Sequence, residues 1–122
     1  MANYTLIRGW IECSFEDVSR LKEIVFAYWE SAGNYSVDNE SASLYRQGWI
    51  FPEKPLNWIS VVFYGASIRS DAVPFLKSCL STLAKSGLEI SGIFYVDDEE
   101  EADLQLWSLS EQGLSEAKRE GG

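Results

Sequence analysis

Histidine is missing from all 122 residues. With it go the commonest general base, proton shuttle and transition-metal ligand. Ser-His-Asp and Cys-His nucleophilic catalysis are excluded, and only carboxylate, tyrosine or lysine chemistry remains. Cysteine is limited to Cys13 and Cys79, with neither a CxxC nor a zinc-type spacing. That usage reads as two reduced, buried thiols in a cytoplasmic protein, with no disulfide framework and no metal site. No apolar run approaches the roughly 20 residues that cross a bilayer. The opening Met1-Ala2-Asn3-Tyr4 lacks the basic region of a secretory leader.

Positive charge is missing from one long stretch. Between Ser86 and Ala117 there is no Lys or Arg, yet Glu89, Asp97, Asp98, Glu99, Glu100, Glu101, Asp103, Glu111 and Glu116 all lie there. The rest of the chain carries equal numbers of acids and bases, so this stretch holds the whole formal charge of −9. Six of its acids crowd into Asp97-Asp98-Glu99-Glu100-Glu101-Ala102-Asp103. Such a block repels itself, nucleic acid and anionic lipid, and attracts a basic surface. Neither nucleic acid nor a membrane is therefore an expected partner. No Gly-rich phosphate loop and no Asp-x-Asp-x-Asp-Gly calcium loop is present, and no cofactor or metal is expected.

What the chain does have is apolar and aromatic content: 46% hydrophobic residues, with five Trp, six Tyr and six Phe. That is enough for one folded domain with its own core. Residues 4–13 alternate, with Ile7, Gly9, Ile11 and Cys13 on one face, which predicts a strand. Ser14-Phe15-Glu16-Asp17 reads as a helix start, and Phe15, Val18, Leu21, Val25 and Tyr28 recur at helical spacing toward a stop near Gly33. Residues 34–43 read as a loop, 44–51 as a second strand, and 58–66 as a third with Ile59, Val61 and Phe63 alternating. Ser70-Asp71 caps a second helix with Val73, Leu76, Leu80 and Leu83 inward, and Pro74 is tolerated in its first turn. A fourth strand over 88–96 turns at the acidic block into a fifth over 104–109.

The expected order is β-α-β-β-α-β plus an extra C-terminal edge strand. It predicts an α+β fold, a ferredoxin-like split βαβ sandwich with helices on one face of an antiparallel sheet. Residues 1–110 form the domain, and 111–122 read as a polar tail or short helix. Gly9-Trp10-Ile11 recurs as Gly48-Trp49-Ile50, each with an Arg just upstream (Arg8, Arg46), either by chance or as a half-repeat of β-α-β units. With helices on one face, the other face stays open. Trp10, Trp58, Tyr64 and Tyr95 fall opposite the aliphatic set, with Trp107 beside them. They are either interface anchors or core beneath a loop or the tail.

A small acidic α+β domain, rich in Trp and without catalytic apparatus, resembles the immunity proteins of bacterial polymorphic-toxin and contact-dependent growth-inhibition systems. The local resemblance is the strand Leu6-Ile7-Arg8-Gly9-Trp10-Ile11-Glu12 followed by a capped helix. The resemblance implies a non-catalytic cytoplasmic inhibitor that binds a cognate toxin domain, in many cases a basic nuclease, and blocks its active site. It places the contact on Asp97, Asp98, Glu99, Glu100, Glu101 and Asp103, with Trp10, Trp58 and Trp107 as anchors. Two alternatives stand beside it. One is a homodimeric ferredoxin-like module whose open sheets enclose a small ligand. The other is a small dimeric α/β-barrel enzyme drawing on Tyr, Ser and Arg.

Overall fold

The computed structural model of the protein describes residues 3–31, 35, 37–55, 58–100 and 104–119. β1 (Tyr4–Cys13) forms where the apolar alternation predicts it, with Ile7 and Ile11 fully buried and Leu6, Arg8, Trp10 and Glu12 pointing the other way. α1 (Phe15–Trp29) buries the stripe Val18, Leu21, Val25 and Trp29 and carries Glu16 and Asp17 in its first turn, where the helix dipole favours acids. After a second helix, α2 (Asn39–Arg46), come β2 (Trp49–Ile50), β3 (Ser60–Arg69) and α3 (Val73–Ala84), the last entered through a 3-10 turn at Ser70–Ala72. β4 (Ser91–Asp98), β5 (Leu104–Ser110) and β6 (Gly113–Arg119) complete an α+β fold.

The six strands form one antiparallel sheet in the order β2-β3-β1-β4-β5-β6. All three helices pack on one of its faces. Cross-strand register places Trp49, Tyr64, Gly9, Phe94 and Trp107 in a single row beneath them. A Cβ at Gly9 would lie 2.2 Å from the Ile93 carbonyl oxygen and 2.6 Å from the Phe94 ring, so this row closes only with glycine at its centre. Above the row, Trp29 meets Trp49 and Phe75 edge-on and donates its indole N–H to the Ala42 carbonyl at 2.7 Å. Tyr64 likewise donates to the Tyr45 carbonyl at 3.0 Å. Each large side chain so buried contributes roughly 1.5–3 kcal/mol. The Trp29 indole and Tyr64 phenol avoid the cost of an unpaired buried donor, whereas the buried Trp49 indole N–H has no partner among the described residues.

Three expectations are corrected. The second strand, expected over 44–51, is instead the end of α2 followed by the two-residue β2. The Asp38 carboxylate caps α2 by accepting from the Ser41 amide at 2.8 Å and the Ser41 hydroxyl at 3.0 Å. Ala42 and Tyr45 then face inward one turn apart. In β3 the inward set is Ser60, Val62, Tyr64 and Ile68, so Ile59, Val61 and Phe63 fall outside it and Tyr64 moves into the core. The expected polar tail contributes β6, paired along β5 from Ser110↔Gly113 to Leu104↔Arg119, not a helix. Gly113, at φ 128°, makes the tight turn that this hairpin requires. Of the two readings of the Gly-Trp-Ile triplets, the half-repeat finds no support, because Trp49 lies in register with Gly9 through Tyr64, so Trp49 faces the core and Trp10 faces away. The helix stop expected near Gly33 lies outside the described residues.

Candidate functional site: the uncovered face of the sheet

The face opposite the helices is built by the outward halves of the strand alternations. Register sets Ile50, Phe63, Trp10 and Ile93 in one row and Gly65, Arg8, Tyr95 and Leu106 in the next. Ile50 is 62% exposed and Phe63 49% exposed, and the Trp10 and Tyr95 rings lie 6.5 Å apart. Around Gly65 these residues leave a cleft of about 540 Å³, walled by Trp10, Tyr95, Phe63 and Ile50 with Arg8 at its rim. Among the described residues Arg8 makes no ion pair. Arg46 lies elsewhere, with its guanidinium 5.1 Å over the Phe26 ring.

Carboxylates stand at both ends of this face. At one end Asp97 follows Tyr95 on the same side of β4, beside Leu6 of β1, and is exposed. Its neighbour Asp98 turns inward and is held in place. It accepts from Asn3 at 3.0 Å, from the Thr5 hydroxyl at 3.1 Å, from the Ser70 hydroxyl at 3.3 Å and from the Glu100 amide at 2.9 Å. These bonds, led by the Glu100 amide, hold its carboxyl below the usual carboxylate range. The Glu99 side chain accepts from the Tyr4 amide at 2.9 Å, while its own amide donates to the Tyr4 carbonyl at 3.2 Å. Of the expected acidic contacts, Asp97 and Glu100 are thus free to meet a partner, whereas Asp98 and Glu99 fasten the β4–β5 turn to the start of β1. Glu101 and Asp103 lie outside the described residues.

At the other end Trp58 is 83% exposed and Ile59 47% exposed. They line a shallow cleft of about 480 Å³ together with Glu12, Glu89 and Glu111. Trp58 therefore does not join the Asp97 block. It keeps company with three acids that the sequence does not set beside it, because they come from β1, the segment leading into β4 and the β5–β6 turn.

Trp107 is not an anchor. It is fully buried under α3, with the Lys77 ammonium 5.5 Å from its ring and that same Lys77 paired to Glu116. Tyr64 is buried and its phenol pKa is pushed up by desolvation. The thiols of Cys13 and Cys79 are unpaired and buried, their pKa values raised to about 11 and about 12, chiefly by burial. At neutral pH both are thiols, not thiolates, and are poor nucleophiles. One hydroxyl cluster escaped sequence reasoning: Tyr28 bonds to Ser78 and, at 2.7 Å, to Tyr35, which lies 3.0 Å from Ser78. No helix among the described residues is long and apolar enough to cross a membrane.

Comparison of the chain with protein-family models, with curated proteins and with solved structures gave no match.

Proposed function

We propose that this protein is a non-catalytic immunity protein, which binds a cognate toxin domain through the uncovered sheet face and so neutralises it in the cytoplasm. The observation that carries this reading is the composition of that face: an exposed aromatic and aliphatic centre with carboxylates at both ends. Monomers seldom leave such a contiguous apolar surface wet, and aromatic residues ringed by charge are the usual anchors of protein interfaces. Asp97 and Glu100 at one end, and Glu12, Glu89 and Glu111 at the other, favour a basic partner such as a nuclease cleft. Trp10 and Trp58 are the anchors of choice. The strand order β2-β3-β1-β4, antiparallel throughout, supports a ferredoxin-like split βαβ framework that β5 and β6 extend past β4 and α2 interrupts before β2.

The test begins with capture of partners on the tagged protein from its native host at low and high salt, followed by their identification. The gene of a captured protein is then expressed alone and together with this one. Growth arrest by the first and rescue by the second support the reading. A self-associating protein that rescues no captured toxin would turn it toward the homodimeric module.

A further inference from the structure

We infer that the cleft over Gly65 receives one apolar side chain of the bound protein, and that Arg8 pairs with a carboxylate adjacent to it in the partner's chain. This deepens the reading above and rests on it. Gly65 lies near the middle of β3, exposed, with a backbone conformation open to any residue, and a Cβ built there would meet nothing within 4 Å. The fold therefore does not need glycine at this position, and its effect is to leave a hole. Gly48 is different. Its carbonyl accepts from the Gly65 amide at 3.1 Å, and a Cβ on it would sit 2.5 Å from the Gly65 carbonyl oxygen. Gly48 lets the α2–β2 turn close one side of the hole. Trp10, Tyr95, Phe63 and Ile50 supply its apolar walls.

The charge pattern selects the occupant. Arg8 is flanked across the register by Gly65 and Tyr95 and has no ion pair among the described residues, in a chain whose net charge is −9. The complement of this face is therefore acidic at one central point, beside an apolar knob, and basic toward the Trp58 end where Glu12, Glu89 and Glu111 gather. At the other end Asp97 shares the face with Arg69, which stands in register with Tyr4, so the charge there is mixed. A second copy of the chain is the competing occupant. Laid with matching ends together it sets Glu12, Glu89 and Glu111 against their counterparts, a like-charge contact that costs affinity, and the sedimentation measurement below decides the opposite direction.

The experiment titrates the isotopically labelled full chain with acetyl-Phe-Asp-amide, acetyl-Phe-Asn-amide, acetyl-Phe-Lys-amide and phenylacetate, and follows amide and indole chemical shifts. The Phe-Asp peptide should shift Arg8, Trp10, Gly65 and Tyr95. It should bind about threefold more tightly than the Asn peptide, as suits an exposed ion pair, with the Lys peptide weakest. Gly65→Trp should remove these shifts while the rest of the spectrum stays dispersed. Arg8→Glu, a surface change that tests the same site should Gly65→Trp fail to fold, should reverse the order of the Asp and Lys peptides. Equal binding of the three peptides, or shifts away from the cleft, would overturn the proposal. So would tighter binding of phenylacetate than of any peptide, or a dimer in sedimentation equilibrium that protects the cleft amides. The peptides read the cleft directly and the growth assay reads toxin neutralisation, so failure of one is told apart from failure of the other.

Discussion

Asp97 and Asp98 are adjacent in the chain, yet the pleat of β4 turns one to solvent and the other into a network of four hydrogen bonds. Asp98→Ala should therefore lower the unfolding free energy by about 1 kcal/mol, below the range usual for hydrogen bonds to charged groups because solvent screens the site. Asp97→Asn should stay within about 0.5 kcal/mol of the parent. Urea denaturation at neutral pH measures both. Its pH dependence carries a sign. The folded pKa of Asp98 is depressed, so its contribution is present above the unfolded value of about 3.9 and is lost as pH falls through the folded value. The gap between parent and Asp98→Ala should accordingly shrink in acid. The tryptophans separate in the same way. Trp107→Ala should cost about 3–5 kcal/mol, whereas Trp58→Ala should leave stability within about 0.5 kcal/mol and act only on partner binding.

At the scale of the elements, the short helix α2 depends on its cap. Asp38 is held ionised below the usual carboxylate range, first by the Ser41 amide and then by its hydroxyl. Asp38→Ala should fray α2 and speed amide exchange at Ala42 and Tyr45, while Asp38→Asn, which keeps an acceptor, should largely restore protection. The β5–β6 hairpin has its own weak point: Gly113→Ala forces a Cβ onto a positive φ and should cost about 1 kcal/mol in the same denaturation assay. These two elements were also the least legible in the sequence. β1, α1, α3 and β4 each carry one clear periodicity and were readable from it. In 44–51 the inward spacing of Ala42 and Tyr45 belongs to a helix that starts upstream, and the Asp38 cap that announces it is hidden in a polar run. In β3, Val61-Val62-Phe63-Tyr64 is apolar on both faces, so alternation does not choose a phase, and a slip of one residue exchanges the core for the surface. Packing chose it, by setting Tyr64 between Trp49 and Gly9. The cleft at Gly65 was illegible for a similar reason, since its walls come from β1, β2, β3 and β4 and meet only through the register.

For the molecule as a whole, the acidic stretch between Ser86 and Ala117 does not form one surface. The sheet distributes it: Asp97 goes to one end of the open face with Glu100 exposed in the turn beyond it, Glu89 and Glu111 go to the other end, and Glu116 pairs with Lys77 on α3. Neutralising the entire Asp97–Glu100 run would therefore confuse two effects, because Asp98 and Glu99 also hold the fold together. The informative variant is Asp97→Asn with Glu100→Gln. Against a basic partner, removing these two charges should slow association about threefold or more at low ionic strength. The difference should close as salt rises and the Debye length falls below about 10 Å. Dissociation should hardly change, because it is governed by the apolar anchors at the centre of the face. Trp10→Ala should show the opposite signature, with faster dissociation and a nearly unaltered, still salt-sensitive association rate. Stopped-flow mixing across a salt series separates the two. Equal association rates for the parent and the double variant at every salt concentration would remove the electrostatic half of the proposed mechanism and leave binding to the aromatic centre alone.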